Sequence, residues 1–325
     1  MPLYAYFPNP PNGIFLDAFH ERLREDVRVA YGKMPDPKDF EILITGRPER
    51  EQIQANSKLR SLVIPYAGVP EETRALLREF PKVSVHNLHH NAAPTAEMAV
   101  ALMLAATKAI VPADQALRKG DWTARYSDRT GLLLENKTAL VLGYGQIGRR
   151  IARCCRGLGM RVVAIRRGGP LGFSDVPDEI HGPEDLTALL PRARVLVCCV
   201  PATEETLGLL GAKELELLPR ESVVVNVGRG PVIDEKALFL ALKNGTVAAA
   251  GLDVWYRYPK SEKARKNTLP SEYPFHELPN VVLSPHRGGM TDDTEELRAA
   301  HLAKLLNTAA NGGTMPNRVD LGSGY

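Results

Sequence analysis

With 325 residues, 44% hydrophobic and 24% charged, the chain has room for two ordinary domains and sits near the average for folded soluble proteins, which excludes the disordered and fibrous classes. Forty-one Lys and Arg against 38 Asp and Glu leave a net charge of +3. That field is too weak for nucleic-acid binding without a concentrated patch, so any bound anion is expected to be small.

The start, Met1-Pro2-Leu3-Tyr4, has no basic segment and soon meets Pro8, Pro10 and Pro11, so no export signal is expected. The most apolar stretch, Met98 to Ala106, falls far short of the roughly 20 residues a membrane span needs and reads as a buried helix. The cysteines stand as neighbours, Cys154-Cys155 and Cys198-Cys199, a spacing that suits neither a disulfide framework nor a metal site. They are expected to be reduced core residues. No metal, no membrane contact and a cytoplasmic setting are the corresponding expectations.

In chain order, Arg28–Ala30, Glu41–Thr45, Ser61–Pro65 and Val83–His86 read as short strands separated by helices or loops, the alternation of a parallel sheet. After Pro94 comes an Ala/Met/Leu-rich helix, Thr95 to about Ala109, with Glu97 expected in its first turn, where the helix dipole favours an acid. This helix is the expected crossover between domains. A stronger series follows, with strands at Thr138–Leu142, Arg161–Ile165, Val195–Val200, Ser222–Val227, Val247–Leu252 and Val281–Ser284. Such alternation predicts a doubly wound α/β domain. Tyr256–Pro274, rich in Pro, Lys and Glu, is the most loop-like segment, and the last helix, Thr291 to Ala310, is expected to return to the first domain. The predicted division is 1–92 for a first, substrate-binding part, 93–288 for a dinucleotide-binding domain and 289–325 for the returning helix.

The strand Thr138–Leu142 runs directly into Gly143-Tyr-Gly145-Gln-Ile-Gly148, and Ile147, Ile151, Cys155 and Leu158 then share one helical face. The glycine pattern by itself is weak, and a plain turn would satisfy it. Strand, turn and helix in this order give it meaning: Gly143 for the tight turn, Gly145 for close approach to a pyrophosphate, Gly148 for helix packing on the strand. After the next strand, where an acid would accept hydrogen bonds from the adenosine ribose of NAD, stand Arg166 and Arg167. Guanidinium groups there can hold a 2′-phosphate, so NADP is expected in preference to NAD.

Together with Val224-Val-Asn-Val-Gly-Arg-Gly-Pro-Val-Ile-Asp234, Ala250-Gly-Leu-Asp-Val254 and Leu283-Ser-Pro-His-Arg-Gly-Gly289, this turn resembles the D-isomer-specific 2-hydroxyacid dehydrogenases over nearly the whole chain. The resemblance implies a Rossmann cofactor domain beside a smaller flavodoxin-like α/β substrate domain. It implies hydride transfer between NADP(H) or NAD(H) and a small 2-oxo or D-2-hydroxy acid, in a homodimer to which the helix near Met98–Ala106 contributes.

By the same resemblance Arg229 activates the substrate, His286 transfers the proton and Asp253 orients the nicotinamide carboxamide. Gln146 and Ile147 touch the pyrophosphate, while Val200, Val227 and Gly228 line the cofactor site. Ala67, Gly68 and Val69 form the loop whose N–H groups hold the substrate carboxylate. A guanidinium suits a carboxylate and carbonyl held side by side, and an imidazole suits proton transfer near neutral pH.

One position departs from the family. Its glutamate partner of the histidine is replaced by Tyr258, in Asp253-Val-Trp-Tyr-Arg-Tyr-Pro259. A phenol can orient the imidazole but brings no charge at neutral pH. Either His286 works with a lowered pKa beside Tyr258, or another carboxylate such as Glu272 or Glu277 takes over. A cofactor-binding sensor or scaffold that has lost turnover is the alternative from a different class; retention of Arg229 and His286 argues against it.

Overall fold

The computed structural model describes residues 2–9, 11, 13–54, 56–127, 130–168 and 177–322. The chain divides into two compact units, Met1–Asn91 with Met290–Tyr325, and Ala92–Gly289.

The first unit runs β1 (Leu3–Phe7), α1 (Gly13–Arg22), β2 (Val27–Tyr31), β3 (Ile42–Ile44), α2 (Arg50–Gln54), β4 (Ser61–Ile64), α3 (Glu71–Arg78) and β5 (Ser84–Asn87). Its five strands are all parallel, in the order β2-β1-β3-β4-β5, which is the flavodoxin-like order. Side chains alternate across the sheet. Leu3, Ala5 and Phe7 face Phe15 and Phe19 of α1 and Leu302, Leu305 and Leu306 of the C-terminal helix Thr294–Ala310, while Tyr6 faces the layer of Leu43, Leu62 and Leu77. Strand β1 carries no expectation in the sequence: its five residues run straight into a proline-rich turn. It nevertheless pairs on both sides.

The second unit contains α4 (Ala92–Thr107), α5 (Ile110–Leu117), β6 (Thr138–Leu142), α6 (Gly148–Gly157), β7 (Arg161–Ile165), β8 (Glu179–His181), α7 (Leu186–Leu189), β9 (Val195–Cys198), α8 (Ala212–Glu216), β10 (Val223–Asn226), α9 (Glu235–Lys243), β11 (Ala249–Leu252) and β12 (Val281–Leu283). The sheet is parallel throughout, in the order β12-β11-β10-β9-β6-β7-β8, a Rossmann arrangement with one added strand. Helices cover both faces, so the strands read as nearly unbroken apolar runs: Leu140, Leu196 and Val224 point into one layer, Val141, Val197 and Val225 into the other.

Helix α4 begins at Ala92, so Glu97 falls in its second turn rather than its first. Its apolar residues Leu102 and Met103 are spent in this unit's own core, against the sheet. Among the described residues no single helix is long and apolar enough to cross a membrane; α4 and α5 are bent by 64° relative to each other. Cys155 and Cys198 are buried free thiols, their pKa pushed up to about 12 by burial, but Cys154 is exposed, which corrects the expectation of four core residues. A helix face must alternate, and Cys154 occupies the side turned away from the sheet.

Candidate active site

Parallel strands deliver their following loops to one edge of the sheet, and ligands bind such sheets where the strand order reverses. Here the reversal lies between β9 and β6. Read across the sheet from β12 to β7, the residues leaving the carboxyl ends are His286, Asp253, Arg229, Val200, Gly143 and Arg166. Neighbouring strands are about 4.8 Å apart, so consecutive members of this row come from adjacent strand ends.

Gly143 has φ +103°, open to glycine, and the N–H groups of Gly143 and Tyr144 both donate to the carbonyl of Ile165, at 3.0 and 3.1 Å. A Cβ on Gly148 would lie 2.0 Å from the Gly143 carbonyl oxygen, so the close packing of α6 requires glycine. Around Gly145 nothing lies within 4 Å of where a Cβ would stand, leaving open space in front of the helix start, as an approaching pyrophosphate needs. Gln146 and Ile147 are half-buried at that start; the Gln146 amide oxygen accepts from Arg149 at 2.5 Å and its carbonyl from Arg150 at 2.6 Å. Val200, Val227 and Gly228 reach the same edge: Val200 abuts Gly143, and a Cβ on Gly228 would meet the Val200 carbonyl at 2.4 Å. A further residue at this turn escaped the sequence reading. The Cys199 thiol donates to the Gly143 carbonyl at 3.1 Å, and burial raises its pKa, so it acts as a neutral tether.

The two arginines after β7 behave differently. Arg167 is paired with Glu205 at 3.0 Å. Arg166 Nη1 is buried with no hydrogen-bond partner among the described residues. Buried donors are rarely left without an acceptor, so this N–H fits an anionic group of a dinucleotide.

At the other end of the row, Asn226 fixes the turn that carries Arg229: its amide donates to the Arg229 carbonyl at 3.1 Å and its oxygen accepts from Gly228 N–H at 3.1 Å. The Arg229 guanidinium donates to the Gly228 carbonyl at 2.7 Å. Asp253, 2% exposed, clamps the loop after β12: Oδ1 accepts from Ser284 Oγ at 2.5 Å and Arg287 N–H at 2.9 Å, and Oδ2 from Gly288 N–H at 2.9 Å. Of the about four lone-pair sites of a carboxylate, three are used. The clamp brackets His286, which is held at φ +55°, an uncommon backbone region for a non-glycine residue. Asn226 and Ser284, both buried, are positioning residues that sequence reasoning did not pick out; as isolated polar residues at strand ends they carry no motif of their own.

Tyr258 Oη lies 2.8 Å from His286 Nδ1 and also accepts the Trp255 backbone N–H at 3.2 Å. Trp255 in turn donates its indole N–H to the Ser284 carbonyl at 2.7 Å. Desolvation, and then the Arg229 guanidinium, lower the His286 pKa below the usual 6.5, with Asp253 opposing. Burial raises the pKa of Tyr258, so the phenol stays neutral. Among the described residues neither carboxylate considered as a substitute contacts His286: Glu272 is paired with Arg257, and Glu277 lies 3.8 Å from His276.

On the first unit, Ala67, Gly68 and Val69 form the turn between β4 and α3. The Tyr66 carbonyl accepts from Leu88 N–H at 3.3 Å and the Ala67 carbonyl from Asn87 Nδ2 at 2.7 Å. Because a trans peptide sets its N–H opposite its C=O, the N–H groups of Ala67 and Gly68 point away from β5. His90, just before α4, is buried.

Residues 100–288 match the family described as D-isomer specific 2-hydroxyacid dehydrogenase, NAD binding domain. The chain belongs to the D-isomer-specific 2-hydroxyacid dehydrogenases. This dehydrogenase is therefore an oxidoreductase of 2-hydroxy and 2-oxo acids that uses a nicotinamide dinucleotide. It is 31% identical over 321 residues to a glyoxylate reductase of Korarchaeum cryptofilum, covering 94% of this chain and 89% of that one. It is likewise 31% identical over 328 residues to a glyoxylate reductase of Thermococcus litoralis, covering 96% and 94%. A D-isomer specific 2-hydroxyacid dehydrogenase from Xanthobacter autotrophicus Py2, solved in complex with NADPH and MES, shares the fold with a TM-score of 0.80 over 99% of both chains at 24% identity.

Proposed function

We propose that the dehydrogenase reduces small 2-oxo acids to D-2-hydroxy acids with NADPH as the preferred coenzyme, with Arg229 and His286 performing the chemistry. The observation that carries the reading is the Tyr258–His286–Arg229 grouping at the strand ends beyond the glycine turn. The dinucleotide, when bound, supplies the hydride. Arg229 binds the substrate carboxylate and polarises the oxygen that becomes negative as the hydride arrives. His286 Nε2, the nitrogen not engaged by Tyr258, gives that oxygen its proton, and takes one back in the reverse direction. Asp253 holds the loop that aims the imidazole and offers its remaining lone pair to the carboxamide. On the first unit, taken by itself, the same proposal makes the N–H groups of Ala67, Gly68 and Val69 a carboxylate-binding turn.

The preference for NADPH rests on the buried Arg166 Nη1, which has no hydrogen-bond partner among the described residues, with Arg167 a lesser contributor because of its Glu205 partner. Two structures sharing this fold were solved with NADPH or NADP. Spectrophotometric NADPH oxidation with a panel of 2-oxo acids tests the whole reading. Loss of about a hundredfold or more in kcat for His286→Ala and Arg229→Ala is expected; turnover indifferent to His286 would refute the mechanism.

A homodimer is part of this proposal. Among the described residues, Ile110, Leu117, Trp122, Tyr126 and Leu133 of the cofactor unit are exposed, Trp122 to 61% and Tyr126 to 81%, and α5 has no buried residue. This surface adds to the Met98–Ala106 helix, of which Ala99, Leu102, Met103 and Ala106 are buried in its own unit while Ala101 is exposed. Light scattering of the wild type against Trp122→Glu checks it: a mass near twice 35.6 kDa that falls toward the single-chain value. The free thiols suit a reducing cytoplasmic setting, which belongs to the same proposal.

A further inference from the structure

Arg167 and Glu205 come from different parts of the cofactor unit and meet at 3.0 Å. Arg167 follows the carboxyl end of β7, and Glu205 belongs to the turn that follows β9. Between those two strands lies β6, whose end is the glycine turn at Gly143. The ion pair therefore bridges the two loops that flank the turn where the dinucleotide phosphates approach. Glu205 is presented by a fixed turn rather than a loose loop. Thr206 Oγ1 accepts the Thr203 N–H at 2.8 Å and donates to the Pro201 carbonyl at 2.6 Å, while Thr206 N–H and Leu207 N–H donate to the Thr203 carbonyl at 3.0 and 2.9 Å.

The turn is firm, but the contact it makes is easily exchanged. The Arg167 and Glu205 side chains are 45% and 69% exposed and are joined through Nη1 and Oε2. Water competes for both ends of such a pair, so its net attraction is small. A phosphate offers a guanidinium three acceptor oxygens and close to two negative charges, more than a carboxylate can. Arg166 Nη1, one residue earlier, is buried with no hydrogen-bond partner among the described residues. A 2′-phosphate drawn to it arrives next to the residue that Glu205 holds. Two anions then compete for one guanidinium, and they also repel each other.

We propose that Glu205 is a displaceable partner that sets coenzyme selectivity: it holds Arg167 until the 2′-phosphate of NADPH takes the guanidinium over, and so weakens the hold on that phosphate. The inference rests on the preference for NADPH that Proposed function assigns to Arg166 and Arg167. NADH carries a hydroxyl at the 2′ position, so nothing drives the exchange and the pair stays closed. Glu205 thus narrows the gap between the two coenzymes, acting against NADPH alone.

The test is Kd for NADPH and for NADH, measured by fluorescence titration of the full chain without substrate. Glu205→Gln keeps the shape and removes the charge. It is expected to tighten NADPH about three- to fivefold, the size of an exposed charge contact, and to leave NADH within about twofold, which also checks folding. Arg167→Ala is expected to weaken NADPH less than about threefold in the wild type and clearly more in the Glu205→Gln background, where the guanidinium is released. Glu204→Gln removes the same charge one residue earlier and is expected to change neither Kd. Unchanged or weaker NADPH binding in Glu205→Gln overturns the inference. So do equal tightening of both coenzymes, an equal cost of Arg167→Ala in both backgrounds, or an equal effect of Glu204→Gln. A wild type that binds NADH as tightly as NADPH overturns the preference instead, and the comparison of Glu205→Gln with the wild type still decides the role of Glu205.

Discussion

The oxygen of Tyr258 stands 2.8 Å from Nδ1 of His286 while accepting the N–H of Trp255 at 3.2 Å. A carboxylate in that place could only accept, and would fix a proton on Nδ1. A phenol can do either. It donates to the bare Nδ1 of a neutral ring, or accepts from Nδ1–H, turning its own hydrogen to solvent, which half-exposed Tyr258 can reach. Only the second arrangement leaves Nε2 ready to exchange a proton with substrate. Replacing the acid with tyrosine thus costs charge stabilisation and also leaves the tautomer less strictly fixed.

The pH dependence of reduction follows. The imidazolium is the acid, and the His286 pKa is lowered by burial and then by Arg229. kcat/KM for reduction is therefore expected to be high in acid and to fall as pH rises through a value below 6.5. In Tyr258→Glu the neighbouring negative charge favours the imidazolium and should move that fall upward by about one unit or more. Tyr258→Phe should leave the fall in acid and lower the rate about tenfold. Identical profiles for wild type and Tyr258→Glu would show that the two side chains do not communicate.

For the coenzyme, Arg166→Ala is expected to raise KM for NADPH about tenfold or more, the worth of a charge-assisted hydrogen bond, and to change KM for NADH less than about threefold. Arg167→Ala should do much less, because that guanidinium already has Glu205. Equal effects of the two substitutions would contradict the division of labour.

Asp253→Asn keeps the shape but replaces an acceptor oxygen with an NH₂ that faces N–H or hydroxyl donors. At least one buried group loses its partner, at a cost of about 1–3 kcal/mol. Melting temperature should fall, amide exchange at Arg287 and Gly288 should quicken, and kcat should suffer more than KM as the strained His286 backbone relaxes. Unchanged exchange at those two amides would remove the clamp from the account.

His90 makes a separate prediction for the first unit. Burial, and then Arg298, His301 and His89, lower its pKa to about 4. The unfolded chain, with a value near 6.5, takes up the proton first as pH falls. Stability is therefore fully present above about pH 6.5 and declines through the window down to about 4, by up to about 3 kcal/mol. His90→Gln should flatten the stability-against-pH slope in that window by about one proton, measured by urea unfolding at stepped pH. A parallel slope would mean that His90 is accessible in the folded state.

Long apolar strands and the strand-turn-helix around Gly143 were legible because one short segment holds all their determinants. The Tyr258–His286 contact was legible only through the family resemblance, which put Tyr258 at the position of the histidine's usual partner. Strands β1 and β8 were not: Leu3–Phe7 is short and ends in prolines, and Glu179–His181 is an edge strand with no buried residue, paired on one side and held by Glu179's ion pairs with Arg161 and Arg192. The different fates of Arg166 and Arg167 depend on Glu205, some forty positions later, and the tether from Cys199 depends on a sheet neighbour far away in sequence. Local pattern does not encode such tertiary partners.

The sheet order sets the selectors of coenzyme and of substrate far apart. Arg166 leaves the sheet five strand spacings from His286, roughly 24 Å. Free-energy changes from substitutions at that distance should add to within about 0.5 kcal/mol. Coenzyme choice and acid–base chemistry can then drift, or be redesigned, one at a time: a variant taught to accept NADH at Arg166 should keep whatever pH profile Tyr258 dictates.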